Sequence, residues 1–316
     1  MLKFRLSLTK LAIFLSLIAI CVISCGLFIN SGTISQTTAE PTQKFAVPVE
    51  IPPTAAFAGE KIPLNNFDVR EALDRELLVN SYFHSQTILY LKKAPRYFHL
   101  IEPILKKNNI PDDFKYLALA ESGFLERISS PAGAIGLWQF MKKAATENGL
   151  EINIEVDERY NMEKSTEAAC RYLHKSYREY GNWVTVAASY NAGVGGIKRQ
   201  ADIQDSKSYF DLWLNDETSR YIYRILALKM ILENPEKYGF KVTEQEKYPI
   251  LKCREITLKG SVTNLAEYAH KQGINYKILK YFNPWLRQSY LKNQTGKTYT
   301  LKIPEPGTRT FEPGKN

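Results

Sequence analysis

Pro111-Asp112-Asp113-Phe114-Lys115-Tyr116-Leu117-Ala118-Leu119-Ala120-Glu121 is the stretch on which the fold turns. A proline suits the start of a helix, where its missing amide hydrogen would have had no partner. Helical spacing then stacks Phe114, Leu117 and Glu121 on one face. A carboxyl in line with apolar side chains is expected to hold its proton more tightly than one facing solvent, as a general acid must. From spacing alone, the alternative is a capping or ion-paired glutamate near a helix end.

Outward from this helix the pattern stays helical. Upstream, Val69, Leu73, Leu77, Leu78 and Tyr82 repeat at helical intervals, followed by Phe98, Ile101, Ile104 and Leu105. Downstream, helices fit 163–180, 182–190 and 217–232, joined by segments containing Gly and Asn. After Lys241 the pattern changes. Tyr248-Pro249-Ile250-Leu251 reads as a strand, 264–271 and 276–281 as short helices, and 297–303 as a second strand. The expected fold is therefore mainly α, with a helical domain over 62–240 and a small α+β domain over 245–305. Pro304, Pro306 and Pro313 end the ordered part, leaving 306–316 as a disordered tail.

At the amino terminus, Lys3, Arg5 and Lys10 precede an apolar run from Leu11 to Ile29. Such a run reads as a secretion signal or an anchor and not as part of the fold. Val22-Ile23-Ser24-Cys25 resembles the bacterial lipoprotein processing box, with Val22 where leucine is usual. The expectation is a signal peptide over 1–24, acylation of Cys25, and a Ser/Thr/Pro-rich tether over 25–61. An uncleaved anchor and ordinary cleavage are the alternatives, and all three send the chain out of the cytoplasm. With Cys21 and Cys25 in the leader, Cys170 and Cys253 are too few for a disulfide framework. Cys170, after Ala168 and Ala169, is expected as a buried thiol. The net charge of +9 includes Lys3, Arg5 and Lys10 and suits an anionic membrane or an acidic polymer. No zinc-finger spacing, RNA-binding aromatic pair or dense basic helix supports a nucleic-acid partner.

Beyond Glu121 the motifs accumulate. Glu121-Ser122-Gly123-Phe124, Ser130-Pro131-Ala132-Gly133-Ala134-Ile135-Gly136-Leu137-Trp138-Gln139-Phe140-Met141 and Ala187-Ala188-Ser189-Tyr190-Asn191-Ala192-Gly193 follow in order. Together they resemble the lytic transglycosylase domain of the soluble lytic transglycosylase and goose-type lysozyme superfamily. Glu217-Thr218-Ser219-Arg220-Tyr221 is similar to a later element of its membrane-bound type D branch. The resemblance implies cleavage of the β-1,4 bond between N-acetylmuramic acid and N-acetylglucosamine in peptidoglycan, leaving a 1,6-anhydro end. It implies Glu121 as the single catalytic acid, with no cofactor and no metal. Ser130, Gln139, Tyr190, Asn191, Glu217 and Tyr221 are the implied substrate-side residues. Gln139 offers an amide donor and acceptor, and Ser130 either a hydroxyl near the acid or a cap for the next turn. Trp138 is expected in the core.

Two departures bear on these expectations. Lys142 and Lys143 follow Met141 where many relatives have a proline, which leaves the start of the next helix open. The segment 151–160 carries Glu155, Asp157 and Glu158, any of which as a second carboxylate would turn the enzyme into a water-using hydrolase. Their polar neighbours point instead to a solvated face.

Asn264-Leu265-Ala266, Asn283-Pro284-Trp285-Leu286 and Tyr299-Thr300-Leu301-Lys302-Ile303-Pro304 resemble a divergent LysM module, which implies binding of N-acetylglucosamine-containing chains. Leu265, Ala269, Leu279 and Phe282 are expected as its core. Asn275, Tyr276 and Trp285 are its glycan-contact candidates, with Trp285 as a core plug the alternative. The implied partners are peptidoglycan strands and, through the anchor, a membrane. The implied location is the cell envelope, as an outer-membrane lipoprotein facing the periplasm.

Overall fold

The computed structural model describes residues 47–310. The signal peptide, Cys25 and residues 311–316 of the expected tail lie outside them. Short strands β1 (Ala56–Phe57) and β2 (Glu60–Lys61) pair antiparallel around Ala58 and Gly59, both at positive φ. That conformation matches the right-handed twist of a two-residue hairpin. Phe57 is fully buried and meets the Phe114 ring edge-on at 5.2 Å. The Glu60 carboxylate accepts from the amides of Trp183 and Val184 at 2.6 and 2.9 Å, satisfying the start of a later helix. These residues were expected as the end of the tether. They are instead folded onto the helical domain, held by the Phe57 ring, the Glu60 carboxylate and a hydrogen bond from the Ala58 amide to Asp113 at 2.7 Å, which a Ser/Pro-rich composition conceals.

Eight helices follow: α1 (Phe67–Tyr82), α2 (His84–Lys107), α3 (Phe114–Ser122), α4 (Lys142–Glu147), α5 (Met162–Tyr180), α6 (Trp183–Ala192), α7 (Val194–Gln204) and α8 (Asp216–Glu233). On α2, Leu91, Ala94, Tyr97, Ile101 and Leu105 form the buried stripe. α3 buries Phe114, Tyr116, Leu117, Ala118 and Leu119, so it is covered on nearly every side. Gly123, at φ 57, ends α3 with its amide on the Leu119 carbonyl. α8 packs against α1, α3 and α6. Asn182 and Asn215 cap α6 and α8. The helices at 163–180, 182–190 and 217–232 stand within two residues of their expected bounds, the helix whose start was left open after Met141 begins at Lys142, and α7 was not anticipated.

The carboxy-terminal module consists of β3 (Cys253–Lys259), α9 (Leu265–Lys271), α10 (Tyr276–Phe282) and β4 (Thr298–Pro304). β3 and β4 pair antiparallel with Ile256 opposite Leu301. The strand expected at Tyr248–Leu251 is not formed. Tyr248 donates its amide to the Lys92 carbonyl at 2.7 Å, Pro249 has no amide to give, and Arg96 takes the Pro249 carbonyl. This connector is thus spent on α2, and pairing begins at Cys253. Leu265, Ala269 and Leu279 are buried as expected, while Phe282 is only partly covered. Trp285 is buried and stacks on Tyr299 at 5.4 Å, so the core-plug reading holds and it is withdrawn as a glycan contact.

The segment 151–160 corrects a further expectation. Asp157, Glu158 and Arg159 are buried, not solvated. Val156 and Tyr160 belong to the apolar core of the module. Asp157 donates its amide to the Trp285 carbonyl and Arg287 donates its amide to the Glu155 carbonyl, at 2.9 and 2.7 Å. The segment is therefore the seat of the module on the helical domain. Cys170 and Cys253 are both free thiols, and burial pushes that of Cys170 up to about 12.

Candidate active site

Glu121 lies in the last turn of α3, where α8 crosses it. On α8, Glu217, Tyr221 and Arg224 follow at i, i+4 and i+7 and so share one face. The buried Tyr221 donates its hydroxyl to Oε1 of Glu121. Burial is the main cause that raises the Glu121 carboxyl to about 7. The negative charge of Glu217 adds to the rise, and the Tyr221 hydrogen bond and the Arg224 charge oppose it. Tyr221 keeps its own proton, because burial and then the Glu121 charge push its phenol far up. The result is a carboxyl that is protonated or ionised near neutral pH, with a fixed donor on one oxygen.

Asn191, at the end of α6, is tied to the start of α8 by both ends of its amide. It donates to Glu217 at 3.1 Å and accepts from the Thr218 hydroxyl at 2.8 Å. Next to it, Tyr190 donates to the Trp138 carbonyl at 2.7 Å, and its ring meets those of Tyr172 and Phe140 edge-on. Burial, then the charge of Glu121, push the Tyr190 phenol well up. Tyr190 thereby connects the surroundings of Glu121 to the loop that carries Gln139.

That loop, 129–140, is drawn tight by small residues and short bridges, Ser129 to Ile135 and Ile135 to Phe140. Gln139 stands at φ 46, and both its backbone and side-chain amides point to the Gly136 carbonyl, the latter at 2.8 Å. Its side-chain oxygen is left to accept. Ser130 accepts from the Ala134 amide at 3.0 Å and makes no hydrogen bond to Glu121, so its turn-closing alternative is the one observed. Trp138 is fully buried and donates to Thr166 at 2.9 Å. The pattern therefore brings Glu121 and Tyr221 into contact and ties Asn191 to Glu217, while Ser130 and Gln139 serve the loop.

Two contributors escaped the sequence reading. Arg224 acts on Glu121 by its charge, and its position one turn beyond Tyr221 was the available signal. Arg159 donates to the carbonyls of Gly133 and Phe140 and pairs with Asp157 at 2.8 Å, bracing the loop from behind. The three candidate partner acids are all engaged elsewhere. Asp157 holds Arg159, Glu158 holds Lys164 and the Glu151 amide, and Glu155 accepts from the amides of Lys292 and Asn293.

A helical domain with one neutral-titrating carboxyl between two packed helices, and a glycine-turned loop beside it, defines a lysozyme-like transglycosylase domain. The chain belongs to the transglycosylase SLT superfamily and carries a LysM-like module after that domain. Residues 99–212 match the Transglycosylase SLT domain, and residues 254–307 match the Soluble lytic transglycosylase C-terminal LysM-like domain. The first match contains Glu121, Ser130, Gln139, Tyr190 and Asn191 and ends before Glu217 and Tyr221. Membrane-bound lytic murein transglycosylase D of Escherichia coli strain K12 is 29% identical over 254 residues, which cover 78% of this chain and 54% of that protein. The chain thus spans about half the length of that curated relative. Among solved structures, the 70 kDa soluble lytic transglycosylase of Escherichia coli is similar over 47% of this chain and 26% of its own, at 22% identity and a TM-score of 0.37. An inactive mutant of lytic transglycosylase Slt from Pseudomonas aeruginosa is similar over 48% and 26%, at 19% identity and a TM-score of 0.35.

Proposed function

We propose that this protein is a lytic transglycosylase that cleaves the β-1,4 bond between N-acetylmuramic acid and N-acetylglucosamine in peptidoglycan strands, with Glu121 as acid and then base. The observation that carries the reading is the Glu121 carboxyl, raised to about 7 by burial and held by the Tyr221 hydroxyl. In the first step its proton goes to the glycosidic oxygen as the bond to the anomeric carbon breaks. The substrate's acetamido oxygen stabilises the positive charge that develops there. In the second, the C6 hydroxyl oxygen of the same sugar closes on the anomeric carbon and gives its proton to the ionised Glu121. Because that nucleophile is intramolecular, proximity supplies what a second carboxylate and an activated water would otherwise provide. The engagement of Glu155, Asp157 and Glu158 in the module's seat supports this route over hydrolysis. The reaction as written consumes no cofactor and needs no metal.

In this reading Tyr221 orients the acid and releases no proton. The Asn191 and Glu217 pair lies one turn away, at the strand's path. The Gln139 side-chain oxygen accepts from a substrate amide or hydroxyl, and Ser130 shapes the turn that admits the strand. The LysM-like module holds the polymer, with Asn275 and Tyr276 as its remaining contact candidates. An acylated Cys25 tethers the whole to the envelope, facing the periplasm from the outer membrane. Glu121→Gln keeps the shape and removes the titratable proton. Cleavage of purified peptidoglycan should fall by about 10²–10⁴-fold while co-sedimentation with the insoluble wall is kept. Cleavage at the parent rate would overturn the assignment.

A further inference from the structure

Trp213 is the most exposed large apolar side chain among the described residues, at 87%. A single exposed apolar residue needs no explanation by itself. Trp213, however, does not stand on a loose loop. Its amide donates to Oε1 of Gln204 at 2.6 Å and its carbonyl accepts from Nε2 of Gln204 at 2.9 Å, so one side-chain amide pairs with its main chain as a neighbouring strand would. Nε2 of Gln204 also reaches the Gln200 side-chain oxygen at 3.0 Å, fixing the arrangement to α7.

Beside the indole is a cavity of about 370 Å³, bounded by Ile197, Arg199, Gln200, Trp213, Asn215 and Thr218. Its polar groups are donors left over from local bonding. Asn215 spends its side-chain oxygen on the Thr218 amide and keeps its NH₂ group, and Gln200 accepts from Gln204 and keeps its own. Arg199 is exposed, and its guanidinium has no hydrogen bond or ion pair among the described residues. An aromatic plate flanked by amide and guanidinium donors suits a pyranose, which offers a flat C–H face and a rim of acceptor oxygens. Hydrogen bonds link the wall of this cavity to the site already described. Thr218, on its wall, donates to Asn191, which donates in turn to Glu217.

We propose that Trp213, with Arg199, Gln200 and Asn215, forms a subsite for a further N-acetylhexosamine ring of the same strand, beyond the Asn191 and Glu217 pair. This rests on the glycan-cleaving reading of Glu121 and adds to it the part of the strand that is gripped but not cut. Such a contact is made equally before and during the reaction, so it acts on binding and not on the chemical step.

The test measures equilibrium binding of the β-1,4-linked N-acetylglucosamine trimer and hexamer to full-length Glu121→Gln protein, with and without Trp213→Ala. The hexamer should bind about tenfold more weakly once the indole is removed, the trimer should bind more nearly alike, and Trp213→Phe should recover most of the loss. Hexamer binding should also shift the emission of the exposed indole to the blue, a signal absent from Trp213→Phe. Equal hexamer affinity with and without Trp213 would overturn the subsite. Because binding is read in protein with no acid at position 121, this outcome is independent of cleavage, whose absence in the parent protein would count against Glu121 instead.

Discussion

Glu121 can give a proton only while it still holds one, and its surroundings set where that ends. With the carboxyl raised to about 7, the acid form predominates below neutrality, so kcat/KM should fall as pH rises through about 7. Tyr221 donates to the ionised form and thus holds the value down. Tyr221→Phe should therefore move this alkaline limb to higher pH as well as slow the reaction. A pH profile of kcat/KM for both proteins checks the sign, and a limb that stays or moves lower would contradict it. At this scale, the apolar face shared by Phe114, Leu117 and Glu121 already pointed to a raised carboxyl. Its hydroxyl partner and the Arg224 charge come from a helix about a hundred positions away, and spacing within α3 contains no information about them. For the same reason the sequence left Ser130 open between the acid and a turn cap, and its nearest demand is the Ala134 amide.

Among the elements, the loop 129–140 depends on one glycine more than on the other. A Cβ on Gly136, at φ +80, would lie 2.1 Å from the Arg159 carbonyl oxygen, whereas one on Gly133 would meet nothing within 4 Å. Gly136→Ala should lose at least about 2 kcal/mol, combining an unfavourable backbone region with a main-chain clash. Gly133→Ala should lose clearly less, its strain being confined to φ. Denaturant unfolding of the two variants measures the difference, and equal losses would contradict the close packing of Gly136 on Arg159. Helices with long apolar periods were legible to within two residues. The 151–160 segment was not, because a run of acids looks solvated until its partners are known. Here the partners are Arg159, Lys164 and main-chain amides, and burial follows from that pairing. The strand expected before Cys253 failed for a local reason, since the Tyr248 and Pro249 main chain bonds to α2.

At the scale of the whole molecule, the LysM-like module shares its core with the helical domain through Val156 and Tyr160. Burial of apolar surface on both sides of this seat should couple their unfolding. Calorimetry should therefore show one transition for residues 47–310, and removal of the chain from Arg254 onward should lower the midpoint of what remains. Two separate transitions, with the helical one unchanged by truncation, would contradict the shared core. The ordered motifs made the two domains legible, but not the seat that joins them, which lies in contacts between distant segments. The bond cut and the form of the product's end follow from the proposed reaction at Glu121. Mass spectrometry of peptidoglycan digested by the full chain tests that directly. The account predicts muropeptides ending in 1,6-anhydromuramic acid, formed by the parent protein and lost with Glu121→Gln. Reducing ends that have gained a water would contradict it.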